Sequence, residues 1–413
     1  MSGRGRARQG LKDELRHVTQ DAPVLIAGGG IAGLTLALAL AQRGVASQVI
    51  ERRAQFSVEG AGIQLGPNAT GVLRRLGVAA ILEASAGWPR SLRVRSGVTG
   101  SAIAELPLGE WITSRHGAPY WSVHRADLQA ALLAVARGRA LIELQTGAEL
   151  SGFEILSGGV TAAAGGAKLT ARALVGADGL RSRVRRLLWP DFRLEYSGRA
   201  AVRTLVPARL VSEIFREPEV GAWLAPFGHI VHYPIRQGAE IAVTAILDQD
   251  WPGLGWSIDA RPEDLAASLD PFPDQLKAFL AGAGPWRKWA LYDAPPLPRW
   301  SSGPVTLLGD AAHPVLPFLA QGGALAIEDA ETLAACFATW RDPVEACRRY
   351  ERLRMARARR IQSTSRRNGQ IYRLAGPAAA ARNLTMRAVP GPALMTLYDW
   401  VYGWNGDTID GTL

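Results

Sequence analysis

"VLIAGGGIAGLTLALALAQRGVASQVIERR", residues 24–53, is the stretch from which the rest of the chain is read. An apolar run, Val24 to Ala27, enters a turn made of Gly28-Gly29-Gly30-Ile31-Ala32-Gly33, and a helical pattern follows from Leu34 to Gln42 until Gly44 stops it. Each glycine has a separate use. Gly28 permits the tight turn, Gly30 lets a pyrophosphate approach the backbone at the helix N-terminus, and Gly33 lets helix and strand pack closely. A second apolar run ends in Glu51-Arg52, with Glu51 18 residues beyond Gly33. A carboxylate there can accept both hydroxyls of an adenosine ribose. Strand, glycine turn, helix and acidic strand end together read as a βαβ dinucleotide site. The choice between NAD and FAD stays open, because both carry the same ADP half.

At 413 residues and 48% hydrophobic content the chain can bury a large core, and its length suggests two or three domains. Only Cys336 and Cys347 occur, both in helix-like stretches, so there is no material for a disulfide framework or a zinc site. The chain reads as soluble, intracellular and cytoplasmic. The formal net charge of +10 invites a nucleic-acid reading. Much of the excess lies in "MSGRGRARQG" (1–10) and "RRYERLRMARARRIQSTSRR" (348–367), without the aromatic platform of single-strand binders. No nucleic-acid partner is expected; the second run reads as a solvated helix face. Residues 22–41 are uncharged and about long enough to span a bilayer, but three consecutive glycines argue against a membrane span. Residues 1–20 read as a disordered basic tail.

Two later stretches repeat the strand-to-turn plan. "ALVGADGLRSRVRR" (173–186) runs from an apolar strand into Asp178-Gly179, then into a helix opening with Ser182 and Arg185. "PVTLLGDAAHP" (304–314) delivers Gly309-Asp310 in the same way. Each places a carboxylate at the carboxyl edge of a parallel sheet, where such sheets bind ligands and where a polyol such as ribityl can be held.

With three motifs in this order, the sequence resembles the class A flavin-dependent aromatic hydroxylases, which share the para-hydroxybenzoate hydroxylase fold. "GAGIQLGPNATGVLRRLG" (60–77), "HRADLQAALL" (124–133), "HIVHYPIRQG" (229–238) and "LYDWVYGWN" (397–405) resemble most the branch of salicylate, 3-hydroxybenzoate 6- and 6-hydroxynicotinate 3-hydroxylases. The resemblance implies an α/β fold: a Rossmann-like FAD-binding domain, an inserted, mainly antiparallel substrate-binding sheet, and C-terminal helices. The expected boundaries are 21–90, 120–190 and 295–375 for the FAD domain, 91–119 and 191–294 for the substrate sheet, and 376–413 for the helical end.

The resemblance also implies tightly bound, non-covalent FAD, with NADH or NADPH as a transient co-substrate. The enzyme would be a monooxygenase of a small phenolic or heteroaromatic carboxylate, using O2 through a flavin C4a-hydroperoxide. Gly28, Gly30, Ile31, Ala32, Gly33, Glu51, Arg52, Gln64, Arg125, Asp178, Asp310, Pro317, Gly322, Gly323 and Ala324 are the implied cofactor-binding set. Asp310 would hold the ribityl chain, Arg125 the pyrophosphate, and the helix after Gln321 would aim its N–H groups and positive dipole end at an anionic reduced ring. In the stretch "HIVHYPI", strand alternation puts His229, Val231 and Tyr233 on one face and Ile230 and His232 on the other. His229 and Tyr233 then stand about 13 Å apart along the strand. By resemblance, His229 is the general base for a phenol, suited by an ordinary imidazole pKa near ~6.5, and Tyr233 its partner. Pro317-Phe318 departs from the relatives, which commonly carry Gln or His there; Gln64 is the candidate replacement for the missing polar contact.

The apolar, aromatic "NLTMRAVPGPALMTLYDWVYGWN" (383–405) could cover the FAD domain or a second subunit, so a homodimer is the expected assembly. Two other readings compete: a same-fold flavoprotein that does not hydroxylate, and a nonenzymatic nucleotide- or nucleic-acid-binding protein. The W-x-W-x-I-P signature of flavin halogenases is absent.

Overall fold

The computed structural model describes residues 21–56, 60–251 and 255–406; the tail reading for 1–20 falls outside them. Val24–Ala27 is a fully buried strand, as four consecutive apolar residues between parallel neighbours should be. It pairs in parallel with Ser47–Glu51 on one side and Ala173–Gly176 on the other. The sheet continues through Ile142–Thr146 beyond the first neighbour and Val305–Leu307 beyond the second, with Ser301–Ser302 closing the far edge as an antiparallel hairpin. Three sequence-distant strands therefore bring Gly28, Asp178 and Asp310 to one sheet edge. The helix after the glycine turn spans Ile31–Gln42, starting earlier than the apolar periodicity suggested, and Gly44 ends it in the left-handed region at φ 76°. That helix packs against Gly322–Thr339, a helix buried over most of its length.

A second sheet has eight strands, in the order Ser257–Ala260, Trp286–Asp293, Glu195–Pro207, Glu240–Asp248, Gly228–Ile235, Glu219–Ala225, Ser91–Ser96, Ala102–Pro107. All pairs are antiparallel except Glu219–Ala225 with Ser91–Ser96. Its back face, with Val202, Val206, Trp223, Ile230, Val243 and Ala245, packs with Leu276, Phe279 and Leu280 of the helix Asp274–Ala281. Its front face, with Ala201 and Ile246, meets Leu316 and Phe318 from the segment after the Val305–Leu307 strand.

The arginine-rich run forms the helix Pro343–Tyr372; Arg348, Arg352, Arg359, Arg360 and Arg367 are exposed as a solvated face requires, while the opposite side of the helix is paired inside the molecule. Arg354 is 2% exposed, with its Nε 2.7 Å from Asp329 and an Nη 2.6 Å from Glu328. Arg357 also bonds Glu328, and Arg366 bonds Asp293. Part of the run's charge is thus paired inside the molecule. Cys336 and Cys347 are free and buried. Among the described residues no helix is long and apolar enough to cross a membrane.

Candidate active site

The glycine turn has the shape its spacing requires. Gly28 takes φ 117°, and a Cβ there would lie 2.5 Å from the Ala177 carbonyl oxygen. A Cβ on Gly33 would lie 2.0 Å from the Gly28 carbonyl oxygen, so only glycine allows the helix to sit this close. A Cβ on Gly30 would meet nothing within 4 Å, which leaves open space directly before the helix N-terminus at Ile31. No side chain caps that terminus. Ile31 is buried and Ala32 half-buried beside Gly309. Glu51 accepts hydrogen bonds from the Gly29 and Arg53 amides, each at 3.0 Å; Arg52 beside it is exposed. Gln129, absent from the sequence expectations, donates to the Gly29 carbonyl at 2.7 Å and locks the turn from the other side.

Asp178 uses one carboxylate oxygen within the chain. Its Oδ2 accepts from the amides of Arg183 (2.6 Å) and Val184 (3.2 Å) at the start of the helix Arg183–Leu188. Its Oδ1 is buried without a hydrogen-bond partner. Ser182 caps the same helix through the Arg185 amide, and the Arg185 guanidinium bonds the carbonyls of Leu180, Asp310 and Ala311. Burial brings Arg185 down to about 10. Arg185 therefore clasps the two Asp motifs together. The Asp310 side chain is exposed to solvent, and the protein around it raises its pKa above the usual range by desolvation. The positive groups acting on it are His313, Arg125 and Arg185. Arg125 is exposed, at the start of the helix Arg125–Arg137; His124 before it accepts the Ala126 amide through Nδ1.

The loop beyond Asp310 is held from behind by one face of the long helix. Gln362 donates to the Pro314 carbonyl, Ser365 to Leu316, and Asn368 and Tyr372 both to Phe318. Pro317 starts a short 3₁₀ turn, and Gln321 precedes the helix opening with Gly322, Gly323 and Ala324. The Gln321 side chain turns inward to accept from Asn68, which also donates to Glu328. The helix N-terminus is left without a side-chain cap, and a Cβ on Gly322 would meet nothing within 4 Å. Its orphan N–H groups remain available to an anion.

His229 and Tyr233 lie on the strand Gly228–Ile235, on the sheet face that meets this loop. His229 stands 5.5 Å from Phe318 and 5.2 Å from Tyr372, ring centre to ring centre. Its Nδ1 is buried without a partner. Burial first, then Arg199 and Arg373, pushes this imidazole down to about 3. That corrects the expectation of an ordinary pKa: His229 is neutral throughout the physiological range. Tyr233 bonds Gln64 and Thr244, and burial pushes its phenol up to about 12. Gln64 also accepts from Tyr120 at 2.6 Å, so it sits beside Tyr233 in a tyrosine cluster. His232 faces the opposite side, in a cage of Phe215, Trp223 and Phe279. His313 pairs with the buried Asp329.

The FAD binding domain family matches this chain over residues 21–365. The chain is 36% identical over 394 residues to a 3-amino-4-hydroxybenzoate 2-monooxygenase of Streptomyces platensis, covering 94% of this chain and 98% of that one. It is 35% identical over 384 residues to 3-hydroxybenzoate 6-hydroxylase 1 of Aquipseudomonas alcaligenes, covering 92% and 97%. Its fold matches that of a salicylate hydroxylase substrate complex with a TM-score of 0.81 at 24% identity, over 95% of this chain and 98% of that one.

Proposed function

The chain belongs to the FAD binding domain family of flavin-dependent aromatic monooxygenases, and from that premise we propose that it hydroxylates a phenolic or heteroaromatic carboxylate bound between His229 and Tyr233. It is an FAD-dependent monooxygenase of aromatic substrates that uses NAD(P)H and O2. The observation that carries the finer reading is His229 itself, a buried, neutral, unpartnered imidazole that faces the loop following Asp310.

The residues present fit FAD. Open space at Gly30 before an uncapped helix, Glu51 at the end of the second strand, and the exposed Asp310 at the sheet edge offer places for pyrophosphate, ribose and ribityl groups. Arg125 would add a cation for the pyrophosphate, and the N-terminus at Gly322 an anion site for the reduced ring. Bound there, FAD would supply electron transfer from NAD(P)H to oxygen. The chain's own residues would do the rest. Phe318 and Tyr372 exclude water around His229. Neutral His229 accepts the proton of a substrate hydroxyl, making the ring electron-rich toward an electrophile. Arg199 and Arg373, which disfavour charge on His229, favour the phenolate formed beside it. Tyr233, un-ionised at neutral pH, positions the other end of the ring through the group it shares with Gln64.

A homodimer, supported by the exposed Leu384 and Leu397 on the C-terminal segment, and a cytoplasmic location, supported by two free buried cysteines, complete the proposal. A panel of hydroxybenzoates and hydroxynicotinates, scored by stimulated NAD(P)H oxidation with product identification, tests it. Stimulation with a hydroxylated product is expected; oxidation without hydroxylation of any member would leave a same-fold oxidoreductase.

A further inference from the structure

We propose that Arg203 is the anchor for the substrate's carboxylate, and that it makes this enzyme select ring acids over neutral phenols. The inference rests on the reading that the front face of the eight-stranded sheet is the substrate face. Arg203 lies on that face. Its neighbours two residues away, Ala201 and Leu205, pack with Phe318 and with Tyr233 respectively, while Val202 and Val206 enter the core behind the sheet.

Arg203 is the anomaly among the interior arginines. Arg354 is neutralised by Glu328 and Asp329, and the terminal nitrogens of Arg185 donate to three carbonyl oxygens. Arg203 has neither. Its Nε is buried without a hydrogen-bond partner, and among the described residues no ion pair or hydrogen bond reaches its guanidinium. Its guanidinium stands over the Trp289 ring, 5.3 Å from Cζ to the centroid. The groups acting on it electrostatically are the Tyr233 phenol and another cation, Arg125; no carboxylate is among them, and burial lowers its pKa. Arg203 is half-buried and only its Nε is shut away from solvent, so its terminal nitrogens stay open with no protein acceptor, and an anion that arrives with the ligand can take them up.

The register places that anion. Arg203 is directly opposite Thr244, and Thr244 is directly opposite Val231. With strands about 4.8 Å apart, Val231 is about 10 Å from Arg203, and His229 and Tyr233 stand one two-residue step, about 7 Å, to either side of Val231. A benzoate-sized ring over Thr244 and Val231 would turn its carboxylate to Arg203 and a hydroxyl to His229. Guanidinium and carboxylate match in a two-point, charge-assisted geometry. The register partner on the other side, Arg287, lies 3.7 Å from Asp259, so it already has a carboxylate. Arg203 would thus supply, from the sheet, the polar contact that Pro317-Phe318 removes from the loop.

The test titrates FAD-loaded protein with 3-hydroxybenzoate and with 3-hydroxybenzamide, reading the flavin absorbance change, for the natural chain, Arg203→Met and Arg203→Lys. The natural chain should bind the acid at least about tenfold tighter than the amide. Arg203→Met should weaken the acid by about a hundredfold and the amide by less than about threefold, with Arg203→Lys between them. Equal affinities in the natural chain would overturn the proposal without any variant, as would an acid preference that survives in Arg203→Met. Failure of the wider reading looks different: neither ligand would perturb the flavin, and no phenol would stimulate NAD(P)H oxidation.

Discussion

Replacing His229 with Gln removes the neutral acceptor while keeping a polar side chain of similar reach, and the structure sets the size of the effect. Moving the imidazole from its ordinary 6.5 to about 3 makes a proton on His229 more costly by about 5 kcal/mol in the empty site. A phenolate about 4 Å away returns about 4 kcal/mol at the effective dielectric of a protein site, so the base is restored only when the substrate is in place. Two outcomes follow. In the natural enzyme, kcat/KM for the aromatic substrate should show no acid limb near pH 6.5 and should stay level down to about pH 5. In His229→Gln, FAD content and flavin reduction by NAD(P)H should persist while hydroxylation slows by about 10²–10⁴-fold, with reducing equivalents appearing as hydrogen peroxide. The assay is the ratio of hydroxylated product to NAD(P)H consumed across pH 5–8, with catalase controls. An unchanged ratio in the variant, or an acid limb near 6.5 that His229→Gln abolishes, would refute the reasoning.

Gly30→Ala should leave the melting temperature of the FAD-free protein unchanged, because its Cβ meets no protein atom, yet weaken FAD retention; Gly33→Ala, whose Cβ would stand 2.0 Å from a backbone oxygen, should lower both. Glu51→Ala should raise the FAD dissociation constant by removing charge-assisted bonds worth about 1.5–3 kcal/mol each at most; ultrafiltration of bound flavin measures it, and an unchanged constant would remove Glu51 from the ribose. His229 and His232 are both held near about 3 when folded, the latter by burial and Arg95. Between about pH 6.5 and 3 the unfolded chain therefore binds more protons, and stability, full above pH 6.5, falls with decreasing pH by up to about 2.7 kcal/mol per unit from this pair. Urea unfolding of His232→Leu at pH 7 and 5 should show that slope reduced by about one proton.

What was legible in the sequence was local. The strand, glycine turn and helix at 24–42 needed only spacing, because the contact that forbids a side chain on Gly33 is with Gly28, five residues away. Period-two alternation likewise separated His229 and Tyr233 from His232, since a strand's faces are fixed by parity. What was not legible joins distant residues. Asn68 bonds Gln321, 253 residues on, and nothing in either neighbourhood signals the pair. Arg354 looks like every other arginine of its run until the helix carrying Glu328 and Asp329 is laid beside it. Gln362, Ser365, Asn368 and Tyr372 do recur at helical spacing, a polar stripe that could have been noticed, but its partner is a loop of bare carbonyls that leaves no trace in side-chain type. The pKa of His229 depends on burial and on Arg199 and Arg373 from two other segments, so composition alone suggested the ordinary value. Arg203 was passed over for the same reason, because its meaning lies in the absence of a partner.

Turnover of the FAD-loaded protein with NAD(P)H, a hydroxybenzoate and heavy-oxygen-labelled dioxygen, followed by mass spectrometry of the aromatic product, tests the central claim most directly. The account predicts one labelled oxygen atom in the ring product for each NAD(P)H consumed. Consumption of NAD(P)H with an unlabelled or unchanged aromatic, across both hydroxybenzoates and hydroxynicotinates, would contradict it.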